Sequence, residues 1–211
     1  MAQNKNFFIV FEGIDGSGKT TQARLLYEKL LSKNYKVILT SEPTDNEIGK
    51  LIRSILNGNS NCDYLSIAAL FVADRLEHLK NKTNGLEKYY NEGFIIICDR
   101  YYLSNYAYNS MHVSIDWLID ANNICREILK PDLNIFIDVN AEISMKRLAA
   151  NREEYELFEK SETLNTVRNN YFKTFEKLKD VETIEIIDGN RPVIEIENDV
   201  WKIIEQKWKL E

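Results

Sequence analysis

The sequence predicts a three-layer α/β fold, a five-stranded parallel sheet with helices on both faces. Three observations predict it. Five short apolar runs alternate with stretches of helical period, the order that parallel strands with right-handed crossovers require. Strands buried on both faces read as continuous apolar runs, as Phe7–Phe11 and Phe94–Cys98 do. The first run passes through a glycine-rich turn straight into a helix.

Phe7 to Phe11 is the first strand. After it, Gly13-Ile14-Asp15-Gly16-Ser17-Gly18-Lys19-Thr20 fits G-x-x-x-x-G-K-[ST], and Thr21 to Leu31 carries Ala23, Leu26 and Leu30 on one side. Strand, glycine loop and helix are the context that a phosphate-binding loop needs. Gly13, Gly16 and Gly18 let backbone N–H groups converge on an anion, and the new helix adds the positive end of its dipole. In this pattern Lys19 reaches the terminal phosphates and Thr20 ligates Mg²⁺. A plain glycine turn would not account for the Lys-Thr pair.

Lys36 to Thr40 reads as the second strand, ending in Ser41-Glu42-Pro43. Asn46 to Asn57 is helical, with Ile48, Leu51, Ile52 and Ile55 apolar and Arg53 off that stripe. Tyr64 to Lys80 is a long helix. Phe94 to Cys98 is the third strand, running into Asp99-Arg100. Ile115 to Leu129 is predicted as one helix, Leu133 to Val139 as the fourth strand, and Ala141 to Lys179 as mostly helical with a charged middle. Thr183 to Ile187 is the fifth strand and Val193 to Lys209 the last helix. Ligands of such sheets lie beyond the carboxyl ends of the strands. Gly13–Thr20, Glu42–Pro43, Asp99–Arg100 and the segment after Val139 therefore share one location.

Length and composition set bounds. With 211 residues, 44% of them hydrophobic, the chain suits a single domain that spans 1–211 and includes a lid. A net charge of −6 gives no general attraction for nucleic acid, so an anion site must be a local cluster of Lys and Arg. Cys62, Cys98 and Cys125 lack metal spacing and read as reduced thiols of a cytoplasmic protein. Residues 1 to 6 are polar and do not resemble a signal peptide, and no apolar run approaches a membrane span.

Several residues admit a chemical and a bland reading. Asp99, at the end of a buried strand, suits Mg²⁺, held through water, and Arg100 suits phosphate; otherwise they form a turn cap and its partner. Asp138 reads as structural, capping the next helix. Arg53, on a helix whose other face is apolar, is a functional group or an ordinary solvated Arg. Phe71 and Arg75 lie four apart and share a helix face, either to stack on and bond a nucleobase or as a core Phe beside an exposed Arg. The stretch from Lys146 to Lys160 offers Arg147 and Arg152 to a mobile lid, or is a solvated helix. His78 and His112 look neither catalytic nor metal-bound. Trp201 and Trp208 read as a core stripe.

The chain resembles the thymidylate kinase family over nearly its whole length. FEGIDGSGKTTQ, SEP, IGKLIR, FVADRLEHL, DRYYLSNYAY, PDL, an Arg-bearing stretch and VRNNY follow in family order. The resemblance implies a P-loop NTPase fold with a short helical lid at about residues 146–160, and transfer of phosphoryl from ATP to dTMP. It implies that Gly13 to Thr21, with Arg147, Asn190 and Arg191, bind ATP. It places Thr20 and Asp99 at Mg²⁺, and Asp15, Pro43, Arg53, Phe71, Arg75, Arg100, Asn105 and Tyr108 at dTMP. Phe71 would stack on thymine, Arg75 and Asn105 would hydrogen-bond it, and Tyr108 would fill the room of a ribose 2′-hydroxyl. Lys19, Arg100, Arg152 and Asp15 would act on the reacting groups. Some members carry a catalytic Arg in the loop, where this chain has Gly16; others supply it from the lid, here Arg152, with Arg147 as its substitute. The chain departs from common family patterns at Glu153, at Glu156-Leu157 and at Thr44-Asp45-Asn46. The resemblance also implies a homodimer. A kinase of another monophosphate such as dUMP, and an ATP-dependent regulatory module, are the alternatives.

Overall fold

The computed structural model describes residues 6–149 and 157–210. Its centre is a five-stranded sheet in the order β2-β3-β1-β4-β5, every neighbouring pair parallel. The strands are β1 (Phe7–Glu12), β2 (Val37–Ser41), β3 (Ile95–Asp99), β4 (Leu133–Asp138) and β5 (Ile184–Asp188). β1 lies in the middle and is buried along its whole length, which is why it reads as an unbroken apolar run.

Successive side chains of a strand point to opposite faces, and this divides the core in two. Phe7, Ile9 and Phe11 join Ile95, Ile97, Ile135 and Ile137 on one face. That face is covered by α1 (Lys19–Ser32) and α10 (Val193–Trp208), through Ala23, Leu26, Leu30, Ile196, Val200 and Ile204. Trp208 stacks on Phe7 with ring centroids 4.1 Å apart, so the C-terminal Trp belongs to the core. Phe8, Val10, Ile96, Cys98 and Phe136 face the other way. There they meet α5 (Tyr102–Asn109) and α9 (Leu157–Leu178), through Leu103, Tyr106, Val167, Tyr171 and Phe175.

Around this frame run α2 (Glu47–Leu56), α3 (Tyr64–Lys80), α4 (Leu86–Asn91), α6 (Ile115–Ala121), α7 (Asn123–Ile128) and α8 (Ala141–Ala149). The predicted single helix Ile115–Leu129 is two helices. It breaks at Asn122, where ψ is 0° and the fully buried amide donates to Leu118 O at 2.8 Å. Asp138 does not cap α8. That bond comes from Asn140, whose Oδ1 accepts from Ile143 N at 2.9 Å, while Asp138 takes both bonds of Arg168 at 2.6 and 2.7 Å. The register sets Ser41 and Phe11 level with Asp99, and Asp138 level with Asp188. One edge of the sheet thus carries the carboxyl ends on which the site is built. No helix among the described residues is long and apolar enough to cross a membrane.

Candidate active site

The loop between β1 and α1 is wrapped by its neighbours. Gly16 has φ +75°, and a Cβ there would stand 2.7 Å from Ser144 O and 3.0 Å from Leu148 Cγ of α8. Both the backbone conformation and the space demand glycine. Ser144 Oγ donates to Asp15 O, and Ser17 N closes on Ile14 O at 3.1 Å. Lys19, buried, opens α1 and donates from Nζ to Ile14 O at 3.3 Å. Burial, aided by the neighbouring Arg100 charge, lowers its pKa to about 8; Asp99, Asp15 and Glu12 oppose the fall. Thr21 follows in the first turn of α1.

Thr20 and Asp99 meet across the loop, Thr20 Oγ1 donating to Asp99 Oδ2. The other oxygen, Asp99 Oδ1, is buried with no partner. An unsatisfied buried carboxylate oxygen beside a threonine hydroxyl fits a hydrated divalent cation. Arg147 ties the loop to the far side of the sheet, donating to Ser17 O at 3.1 Å and Gly189 O at 2.8 Å. Asn190 sits beside Gly189 and accepts from Asn140 N at 3.2 Å. Arg191 turns to the acids of its own segment, meeting Asp199 at 2.5 Å and Asp188 at 3.8 Å.

From the loop, a slot of about 380 Å³ runs between α3 and α5. At its inner end stand Asp15 and Arg100. Arg100 follows β3 with φ +71°, a left-handed conformation that non-glycine residues seldom adopt and that is often found at functional sites. Its guanidinium donates to Asp15 at 2.6 Å, Ser104 Oγ at 2.9 Å and Tyr108 Oη at 3.1 Å. Tyr108 Oη also accepts from Asp15 N at 3.1 Å. Burial works against the Asp15 charge, but Arg100 and Lys19 outweigh it and hold that carboxyl below its usual range. Burial likewise opposes the Arg100 charge, and Tyr108 and Asp15 more than restore it.

Phe71, Arg75 and Pro43 line the slot with Asn105 and Tyr108. Phe71 and Arg75 share one face of α3, as the spacing of four predicts. Arg75 is not the exposed Arg of the bland reading: it is 1% exposed. Asn105 accepts from Asn109 Nδ2 at 2.9 Å and offers its own amide to Ala68 O at 3.4 Å. At the outer mouth Tyr64 stacks on His112, centroids 3.6 Å apart. Arg53 stays at the rim. It donates to Pro43 O at 2.7 Å and Asp45 at 2.8 Å, and is not part of the slot wall. Arg152, with residues 150–156 of the predicted lid, lies outside the described residues.

Two residues of the site, Glu12 and Ser144, go unmarked in the sequence, and so does the role of a third, Glu42, which stands at a predicted strand end. Glu12, fully buried, accepts from Tyr101 N at 3.0 Å, Ser104 N at 3.2 Å, Ser104 Oγ at 2.5 Å and Tyr171 Oη at 2.9 Å. It pins α5 to the root of the loop. Burial raises its pKa against the Ser104 bond and the Arg100 charge. An acid closing an apolar strand was the available signal, the same one that marked Asp99. Glu42 is the hub beneath Arg75, and no local pattern announced it. Ser144 had no signal at all.

A family model described as "Thymidylate kinase" matches residues 11–200. The chain belongs to the thymidylate kinase family. A protein of Pyrococcus horikoshii named "Probable thymidylate kinase" is 37% identical over 209 residues, covering 96% of this chain and 98% of its own. Proteins with the same name from Methanococcus aeolicus and Sulfolobus acidocaldarius are each 40% identical, over 206 and 202 residues; they cover 96% and 94% of this chain, and 97% and 96% of their own. The resemblance carried by the motif series, and the predicted fold, agree with this membership.

Proposed function

We propose that the chain transfers the terminal phosphoryl group of ATP to dTMP, giving ADP and dTDP, as a step in dTTP synthesis. One observation carries the reading: the slot begins at the phosphate loop, at Asp15 and Arg100, and ends on Phe71, Arg75 and Asn105. An acceptor held there has its phosphate beside the loop and its base among groups that stack and donate.

The acceptor phosphate oxygen is already nucleophilic, so catalysis rests on alignment and charge neutralisation. The loop amides and Lys19 bind the ATP phosphates, with Thr21 just behind and Arg147 and Asn190 toward the nucleoside side. Arg191, engaged by its own acids, shapes that turn. Arg100 grips the acceptor phosphate and Asp15 orients Arg100; Arg53 reaches in from the rim. Thr20 and Asp99 would hold Mg²⁺, which when bound offsets the charge of the phosphates. Gly16 leaves no room for an Arg in the loop, which supports supply of the transition-state Arg from elsewhere, here Arg152 on the lid of a single domain. Tyr108, fixed by Asp15 and Arg100, bars a ribose 2′-hydroxyl.

We also take the protein to be a cytoplasmic homodimer with no nucleic-acid or membrane partner. Leu51 and Leu56 on α2, with Tyr64 and Leu65 on α3, are exposed large hydrophobics next to the acceptor slot, which supports pairing through these helices; light scattering tests it.

Coupled ADP production with ATP and Mg²⁺ tests the reaction, run in parallel with dTMP, dUMP, dCMP, dGMP and no acceptor. Preference for dTMP is the expected result. Preference for dUMP would keep the site and change the base pocket. ADP release indifferent to acceptor would favour an ATP-driven regulatory module.

A further inference from the structure

Arg75, Glu42, His78 and Asn122 form a polar cluster buried to 1%, 5%, 6% and 0% exposure. A guanidinium has five N–H donors in a rigid fork and no acceptor. Here Nη1 donates to Asn122 Oδ1 at 2.5 Å and Nη2 to Glu42 Oε2 at 2.6 Å. Nε, though buried, has no partner. The Tyr101 ring lies 4.9 Å from the guanidinium carbon and holds its plane.

A carboxylate facing a guanidinium commonly makes two parallel bonds to it. Glu42 does not. Its second oxygen, Oε1, lies 3.1 Å from His78 Nδ1, and His78 Nε2 lies 2.8 Å from Thr40 Oγ1. A carboxylate in an ion pair only accepts, so Nδ1 is the donating nitrogen, and the Thr40 hydroxyl occupies the other.

We propose that His78 is a positioning residue for base selection: by holding Glu42 to a single bond with Arg75, it keeps Arg75 Nε–H free for a ring carbonyl of the acceptor. Without His78, Glu42 Oε1 is left buried and unpaired. Nε is the one guanidinium nitrogen of Arg75 with no partner, and a forked pair with Glu42 would occupy it. The chemistry selects a keto pyrimidine. The 4-carbonyl of thymine or uracil accepts from Nε–H, whereas the 4-amino group of cytosine presents another donor. A site with buried donors rejects a ligand that leaves them unpaired. The inference rests on reading the slot as the dTMP site.

His78 is not in the slot wall; it lines a second cavity of about 550 Å³. Replacing it removes no side chain from the slot wall and acts there only through Glu42 and Arg75. The test is steady-state kinetics of the full chain with ATP and either dTMP or dCMP, for wild type, H78L, H78Q and T40V. H78L is expected to raise KM for dTMP on the order of tenfold, the loss of one charged hydrogen bond, with little change in kcat. The dTMP-to-dCMP ratio of kcat/KM should fall by a similar factor. Gln can donate to Glu42 and accept from Thr40, so H78Q should restore most of both. T40V frees the outer nitrogen of His78 and should shift both the same way by less. Unchanged KM and ratio in H78L would overturn the proposal, as would equal losses in H78L and H78Q with kcat falling in parallel. If H78L does not fold, an unchanged ratio in T40V overturns it. A wild type with no preference for dTMP would overturn the reading of the slot itself, and is visible without any variant.

Discussion

The loop from Gly13 to Thr20 and the slot between α3 and α5 meet at Asp15, yet they are made in different ways. The loop is one run of eight consecutive residues whose chemistry is largely backbone N–H, and its conformation follows from where glycine stands. The slot presents side chains gathered from α3, α5 and the Glu42–Pro43 turn, its charged groups aimed by bonds to distant residues. Glu12 reaches Ser104, Glu42 reaches Arg75, and Asp15 reaches Arg100, over 92, 33 and 85 positions. On the proposed function, the difference teaches that binding a phosphate can be local, because the backbone brings the N–H groups, whereas reading a base demands specific groups at fixed separations.

Substitutions can break that contrast. Lys19→Ala should cost most, about a thousandfold in kcat, as for loss of a preorganised donor at developing charge; near-normal turnover would remove the loop from the chemistry. Arg100→Ala should lower kcat/KM for dTMP about a hundredfold through loss of a charged contact, while KM for ATP stays near wild type. Equal losses for both substrates would mean that the two regions are one unit.

pH sharpens the comparison. Lys19 has its pKa lowered to about 8 by burial and Arg100, so the free enzyme carries the needed charge below that value and loses it above. kcat/KM for ATP should therefore decline as pH rises through about 8, whereas Arg100, whose pKa is raised, keeps its charge. Bound phosphates favour the charged lysine, so kcat itself should hold to higher pH. A flat kcat/KM profile up to pH 10 would contradict the buried, charged role. The smallest effect belongs to Tyr108→Phe. It removes the acceptor for Asp15 N and Arg100, and should cost a few-fold in KM for dTMP, the scale of one neutral hydrogen bond. Titration calorimetry of dTMP should show the same loss without a change in ATP binding.

Much of the fold was legible in the chain. Five apolar runs are the five strands, and Tyr64 to Lys80 is α3 as predicted. A strand buried on both faces leaves an unbroken apolar run, and a helix with one apolar stripe leaves a periodic mark. α5 left none, because seven of its eight residues are buried, polar Ser104, Asn105 and Asn109 among them, so no solvent-facing stripe sets a period. The break at Asn122 was hidden for a related reason: its side chain serves Arg75 and Leu118 O, and neither bond leaves a local signature.

The phosphate loop, the placement of chemistry at the strand ends and the layered fold were set by patterns a few residues long, where backbone geometry and apolar burial act locally. The depth of Arg75, its hold by Glu42 and His78, the withdrawal of Arg53 to the rim and of Arg191 to Asp199, and the root that Glu12 gives the loop were decided by packing. A side chain's hydrogen-bond partner depends on which groups the sheet order brings within about 3 Å. Strand order β2-β3-β1-β4-β5 is a long-range fact that no single stretch of the chain contains.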